Sequence, residues 1–293
     1  MELRQLRQFV AVAEELHFGR AAARLHMTQP PLTMAIRQLE SLLGVPLFLR
    51  TRRSVRLTAA GEALLPRARR LLAEAEALAP LARAAAQGAL GRLRLGFVST
   101  IGFGPLPGWL KSFREANPGV ELALQEATLD VQLQAFAAGT LDAGFVLHAP
   151  GAVPLGFQAL SVLREPLVLA VARDHPLAGR PRLALRQVLG EPLVIFPREI
   201  TPSLYDAVLS LYSARRIAPR IAQEAIQMQT IVNLVSAGMG VAWVPESVTR
   251  LQRPGVTYRP MRAAALACET SLIWTASPAP VVQRFVDHVR AHV

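Results

Sequence analysis

At 293 residues the chain has room for two or three domains, each with a sizeable buried core. Its single cysteine, Cys268, excludes an intrachain disulfide, and no apolar run approaches the roughly 18–20 residues that a membrane helix needs. The net charge of +11, from 32 basic residues of which only Lys111 is lysine, favours polyanionic partners, although an arginine-rich composition alone is weak ground for choosing one.

The chain opens on Glu2 and Arg4 inside a helical pattern, with no apolar leader, so a cytoplasmic protein is expected. Leu3, Leu6, Phe9, Val10, Ala13 and Leu16 form the apolar stripe of a first helix, and Phe18, Ala22 and Leu25 that of a short second one. After the tight His26-Met27 connection, Leu32, Ile36, Leu39 and Leu43 mark a third helix. Thr28 is placed to cap it, and Pro30 falls in the first turn, where a missing N–H does little harm. Beside its apolar stripe runs a second one of Gln29, Thr33 and Arg37. A short helix with one buried edge and one amide–hydroxyl–guanidinium edge suits a DNA major groove, and two short helices joined by a turn form a helix-turn-helix. Residues 44–58 then predict a short two-stranded wing with Arg50, Arg52 and Arg53 near its tip as phosphate contacts. Residues 1–58 hold nine Arg against four Glu.

These residues resemble the amino-terminal block of LysR-type transcriptional regulators. The likeness is carried by Leu3-Arg4-Gln5-Leu6-Arg7-Gln8-Phe9, Ala21-Ala22-Ala23-Arg24-Leu25, Thr28-Gln29-Pro30, Ile36-Arg37-Gln38-Leu39-Glu40, and Leu57-Thr58 followed by Gly61. In this DNA reader Gln29, Pro31, Thr33, Met34 and Arg37 are expected to face the groove, Thr28 to hold a phosphate through backbone N–H groups, and Pro30 to belong to the DNA-binding set from its place in the first turn. Many relatives carry Ser or a basic residue where this chain has Thr33 and Met34, which bears on the operator sequence.

A long Ala/Leu/Arg/Glu helix follows over residues 58–88. Leu64, Ala68, Leu71, Ala75, Leu78 and Ala82 alternate spacings of four and three, as in a two-helix seam. Pro66 predicts a kink, and Pro80 with Ala84-Ala85-Ala86-Gln87-Gly88 predicts the helix end and a hinge. From Arg92 onward strands and helices alternate. Strands are expected at 93–98, 120–124, 141–146, 167–172, 193–196, 220–224, 240–244 and 270–275. Helices are expected at 103–117, 131–138, 203–215, 230–237 and 280–292. Such alternation implies a mostly parallel sheet covered on both faces. The last strand and helix fit best in the first half, giving two lobes with crossings near 161–164 and 263–268.

This half resembles the family's effector domain, itself built like periplasmic solute-binding proteins. The matching motifs include Phe113-Arg114-Glu115-Ala116-Asn117-Pro118, Gly139-Thr140-Leu141-Asp142-Ala143-Gly144-Phe145, Asp174-His175-Pro176-Leu177 and Val235-Ser236-Ala237-Gly238-Met239-Gly240. The expected architecture is an α/β effector domain of two Rossmann-like lobes, preceded by an all-α winged helix-turn-helix and a long linker helix. The boundaries are 1–58 for the reader, 59–90 for the linker and 91–293 for the effector domain (lobe I 91–161 and 266–293, lobe II 162–265).

Ligands of α/β sheets bind at strand ends and helix starts. Three hydroxyl-bearing segments answer that description: Ser99-Thr100-Ile101, Thr128, and Thr201-Pro202-Ser203-Leu204, with Gln227 on the wall. Each alone is more often a helix cap, but three converging from two lobes, with little charge between them, suit a small carboxylate. The Ser99-Thr100 plus Thr128 pattern resembles members responding to aromatic acids or their ring-cleavage products. Val146-Leu147-His148 stands where some of these carry an arginine.

Catalytic motifs, metal-ligand spacing and phosphate loops are not found in the sequence, so no catalytic residue, metal or cofactor is expected. The resemblance implies a tetrameric regulator, commonly an activator, that binds promoter DNA, a small organic acid, RNA polymerase and itself. A transporter's solute-binding protein is the alternative that residues 91–293 alone would permit.

Overall fold

The computed structural model describes residues 1–51 and 54–293. The chain forms two compact units, Met1–Arg83 and Ala84–Val293.

In the first unit, α1 (Leu3–Glu15), α2 (Phe18–Arg24) and α3 (Gln29–Leu43) precede a hairpin of β1 (Phe48–Arg50) and β2 (Val55–Leu57) and the long α4 (Ala59–Ala86). The apolar stripes meet as expected. Leu6, Phe9, Val12, Phe18, Leu32, Ile36, Leu39, Leu47 and Phe48 form one buried core, and the Phe48 ring lies 5.5 Å from Phe9 and 5.9 Å from Phe18. Burying each such side chain stabilises by about 1.5–3 kcal/mol. Glu40 fastens the hairpin to α3: its carboxylate accepts the N–H groups of Leu47 (2.9 Å) and Phe48 (3.2 Å) and the Arg50 guanidinium (2.6 Å). Thr58 starts α4 by donating to Pro46 O (2.8 Å) and accepting from Gly61 N (3.0 Å). A Cβ on Gly61 would stand 2.3 Å from Leu47 O, so only glycine lets α4 approach the hairpin this closely.

The expected seam of α4 divides. Ala68 is buried and Leu64 partly buried against the first unit's core, whereas Leu71 and Leu78 are exposed. Pro80 does not end the helix, which continues through both prolines to Ala86. The surrounding alanines and leucines are strong helix formers and tolerate one missing N–H.

The second unit begins with β3 (Gly91–Phe97), α5 (Ser99–Gly102), α6 (Leu106–Ala116), β4 (Val120–Glu126), α7 (Leu129–Ala137) and β5 (Ala143–His148). The long β6 (Gln158–Ala172) leads to α8 (Leu185–Val188), β7 (Leu193–Ile195), α9 (Pro202–Ser213), β8 (Ile221–Glu224), α10 (Met228–Ser236), β9 (Ala242–Pro245) and β10 (Val256–Arg259). The chain returns along β11 (Ala267–Trp274) and closes with α11 (Pro280–Arg290).

The main sheet runs β10-β6-β11-β5-β3-β4, with β9 also paired to β6, and β7 pairs with β8. It is mixed rather than mostly parallel. β3 is parallel to β4 and β5, but β11 is antiparallel to both β5 and β6, and β9 and β10 are antiparallel to β6. The expected strand at 167–172 is only the second half of β6. Its first half pairs with β11 as far as Pro166↔Ala267, and from Leu167 it pairs with β9 and then β10. One unbroken strand therefore crosses from lobe to lobe, at Pro166/Leu167 rather than near 161–164. Proline is tolerated there because it sits where one ladder ends and the next begins.

Each lobe has its own core. In lobe I, Leu95, Phe113, Phe145, Leu272 and Phe285 pack together, with Phe113 and Phe285 edge to face at 5.0 Å. In lobe II, Val168 to Val171, Val208, Tyr212, Val232 and Trp243 do so.

Candidate DNA reader and effector cleft

The reader helix α3 presents two faces. Leu32, Ile36 and Leu39 are fully buried, while Thr28, Gln29, Pro30, Pro31, Met34 and Arg37 are exposed and Thr33 is half-buried. The Thr33 hydroxyl donates to Gln29 O (3.0 Å), so its proton serves the helix and its methyl and lone pairs remain outward. Thr28 caps α3 with extended backbone but without a side-chain bond. Arg50 is held on two sides, by Glu40 and by the Phe18 ring, 4.9 Å beneath its guanidinium carbon. It is thus a fixed cation rather than a free arm. Arg52 and Arg53 lie outside the described residues.

Sequence reasoning missed His17. Its Nδ1 accepts Arg20 N (3.1 Å) at the start of α2, and its ring lies over Gly19, close to the Gln29 amide. His17 and Gln29 border one polar hollow with Arg50, Thr51 and Ser54. An N-cap position after a left-handed Leu16 (φ 47°) was the available signal.

In the second unit, a cavity with an empty volume of about 470 Å³, its open mouth included, lies between the lobes. Lobe I contributes Val98, Ser99 and Thr100 after β3, Glu126 at the end of β4 with Ala127, Thr128 and Leu129 following it, and Leu147 on β5. Lobe II contributes Phe196, Ile200 and Thr201 before α9, and Ile226, Gln227 and Met228 at the start of α10. Five of the expected residues therefore meet: Ser99, Thr100, Thr128, Thr201 and Gln227. The other four do not line the cavity. Ile101 and Leu204 are buried in the two lobe cores, Pro202 is exposed at the first position of α9, and the Ser203 hydroxyl accepts Ala149 N (3.2 Å).

Two bonds tie the cleft walls together. Ser99 Oγ donates to Gln227 Oε1 (3.2 Å), and Thr201 Oγ1 donates to Leu147 O (2.8 Å). The Thr100 hydroxyl, on a residue only 3% exposed, has no protein partner. The lining carries little charge: Glu126 borders it, and among the described residues no basic side chain does. Phe196, Ile200 and Ile226 supply an apolar wall that sequence reasoning also missed. At the end of β5, buried His148 is bonded through Nδ1 to Ala149 O (2.7 Å) and through Nε2 to Ser271 Oγ (3.0 Å). Burial pushes the Cys268 thiol well up, which suits an inert core residue. Among the described residues no group of three or more His, Cys, Asp or Glu side chains could hold a metal, and no helix is long and apolar enough to cross a membrane.

Comparison with known proteins covers the whole chain. Residues 3–62 match the bacterial regulatory helix-turn-helix protein, LysR family, and residues 86–293 match the LysR substrate binding domain. The HTH-type transcriptional regulator IlvR of Caulobacter vibrioides is 46% identical over 275 residues, 94% of this chain and 92% of its own. The crystal structure of CbnR, a LysR family transcriptional regulator, is 34% identical with a TM-score of 0.85, covering 99% of this chain and 100% of that one. Full-length CbnR complexed with its target DNA matches with a TM-score of 0.82, 34% identity and 99% coverage of both chains. A DNA-reading module joined to a ligand-binding module removes the transporter alternative, and the chain belongs to the LysR family of DNA-binding transcriptional regulators.

Proposed function

We propose that the protein binds promoter DNA as a homo-oligomer in the cytoplasm and changes transcription when a small carboxylate enters the cleft, with no catalysis of its own. The observation that carries the effector half is the buried Thr100 hydroxyl without a protein partner in a cavity also lined by Ser99 and Thr128. A buried polar group left unpaired is unfavourable by about 1–3 kcal/mol, which favours a ligand that accepts its proton.

In the reader, Gln29, Pro31, Thr33, Met34 and Arg37 face the major groove, and Thr28 holds a phosphate through the free N–H groups of the first turn of α3. Pro30 shapes that turn. Arg50 presents its fixed charge beside them, and Arg52 and Arg53 supply further phosphate contacts. The exposed Leu71 and Leu78 of α4 support a helix pair that places two readers on a two-fold DNA site, and two such dimers give the tetramer. Ligand alters the spacing or tilt of the readers, and so the DNA bend that RNA polymerase meets.

The test is footprinting on the gene's own upstream region against a scrambled duplex over a salt series. Protection of the native sequence, weakening with salt and altered in extent by ligand, is expected. Equal protection of both duplexes would remove the reading.

A further inference from the structure

One buried amide connects the two loops that lobe I sends into the cleft. Helix α7 packs on the sheet through Leu129, Leu133 and Phe136, and Gln132 is the polar exception on that face, 0% exposed. Its Nε2 donates to Ala127 O (2.8 Å) and to Phe145 O (3.1 Å). Phe145 O also accepts Val98 N (3.2 Å), and Ala127 N donates to Phe97 O (3.0 Å). The Gln132 amide therefore touches the residue before Thr128 and the same carbonyl that holds the start of the Val98-Ser99-Thr100 loop.

The sheet is shaped to receive this amide. Gly96 on β3 and Gly144 on β5 stand side by side in register. A Cβ on Gly144 would lie 2.2 Å from Gln132 Oε1, and one on Gly96 2.8 Å from it, so the two glycines leave a notch that the amide fills. Oε1 itself has no hydrogen-bond partner there. A buried acceptor without a donor is unfavourable, and a Leu or Met side chain could occupy the space without that penalty. An apolar side chain could not hold the Ala127 carbonyl. The peptide bond after Ala127 is planar and trans, so fixing its oxygen fixes the Thr128 N–H in the opposite direction, and with it the entry into α7.

Resting on the reading of this cavity as an effector site, we propose that Gln132 is a positioning residue for effector binding. It stands behind the cavity wall rather than in it, and it sets Thr128 and residues 98–100 relative to one another. Ser99, Thr100 and Thr128 then meet the ligand as one ordered set of hydroxyls, and binding does not have to order the two loops.

The experiment pairs calorimetric titration of the full-length protein, with pentanoate, glutarate, benzoate and terephthalate as probes, with amide hydrogen exchange. Gln132→Met keeps the length of the side chain and removes its donors. It is expected to weaken the acid that wild type binds by about tenfold, but by only about twofold once Thr128→Val is present, because a displaced hydroxyl and an absent one cost the ligand the same contact. Gly144→Ala, which crowds the amide out of its notch in a chain that keeps it, is expected to act in the same direction. Without ligand, exchange in Gln132→Met is expected to quicken by about tenfold at the Val98, Ala127 and Gln132 amides and to stay unchanged in α6 and α11. Equal losses of acid binding with and without the Thr128 hydroxyl, or unchanged exchange at those three amides, overturn the positioning role and leave Gln132 a packing residue. If no acid binds wild type and none alters its DNA footprint, the effector reading itself fails and the proposal with it.

Discussion

Ser99 and Gln227 stand on opposite lobes and share a hydrogen bond of 3.2 Å across the cleft. With Thr201 donating to Leu147 O, it closes the cavity by the protein's own groups. An entering ligand therefore competes with an existing contact and need not bring two distant lobes together. The long β6 runs unbroken through both lobes at Pro166/Leu167.

Removing the contact tests this directly. A neutral, half-buried hydrogen bond contributes about 1 kcal/mol, which corresponds to roughly a fivefold change in an opening equilibrium. Ser99→Ala is expected to speed amide hydrogen exchange by about that factor at the starts of α5 and α10 in the ligand-free protein, leaving the core of β5 unchanged. Unchanged exchange at both helix starts would show that the bond does not hold the cleft.

The Arg94–Asp142 pair predicts an acid limit for lobe I. Burial alone would raise the Asp142 carboxyl, but hydrogen bonds from the Arg94 side chain and backbone outweigh it and hold the group below the usual carboxylate range. A depressed carboxyl contributes stability that is complete above its unfolded value and lost as pH falls through the folded one. Arg94 also donates to Gly139 O, so the pair ties β3 to the turn before β5. Asp142→Asn is expected to destabilise the second unit by about 2 kcal/mol at neutral pH. In urea unfolding, the gap between wild type and variant should close towards acid pH. A gap that persists undiminished in acid would assign the loss to packing.

The reader was legible because its signals are local. The spacing of Leu32, Ile36 and Leu39 is a property of one helix, and the same residues form the core. The effector domain was legible as alternating elements but not as a sheet. Arg164, Glu165 and Pro166 hide the first half of β6 among charges and a proline, β10 carries no pattern strong enough to stand alone, and nothing local says that β11 runs antiparallel between β5 and β6. Partners were the least visible part. Thr201 and Ser203 read as ligand hydroxyls, yet β5 and the residue after it engage both. Arg50 reads as a phosphate arm, yet Glu40 and Phe18 hold it. Each of these contacts joins residues from different elements, where periodicity carries no information.

Glu40 should matter more for folding than its place on the helix proposed to read DNA suggests. Removing its carboxylate strands the N–H groups of Leu47 and Phe48, which are 1% and 4% exposed, and frees Arg50. Glu40→Ala is expected to destabilise the first unit by about 2–4 kcal/mol, with Glu40→Gln recovering part of that because an amide oxygen still accepts. Equal stability of the two variants in urea would mean that the backbone bonds are not what Glu40 provides.

Arg37 carries the sharpest prediction about DNA. It is exposed on α3, and Glu40, the acid one turn further along, is already engaged by Arg50 and the hairpin. No ion pair holds Arg37 among the described residues, so its guanidinium is available for the groove. A bidentate contact to guanine is worth about 1–3 kcal/mol of discrimination, whereas a phosphate contact weakens all sequences alike and lowers the salt slope by about one. Arg37→Ala is therefore expected to reduce the preference for the native site over a scrambled duplex by roughly tenfold while leaving non-specific binding nearly intact. Equal loss on both duplexes, with a shallower salt dependence, would reassign Arg37 to the phosphate backbone.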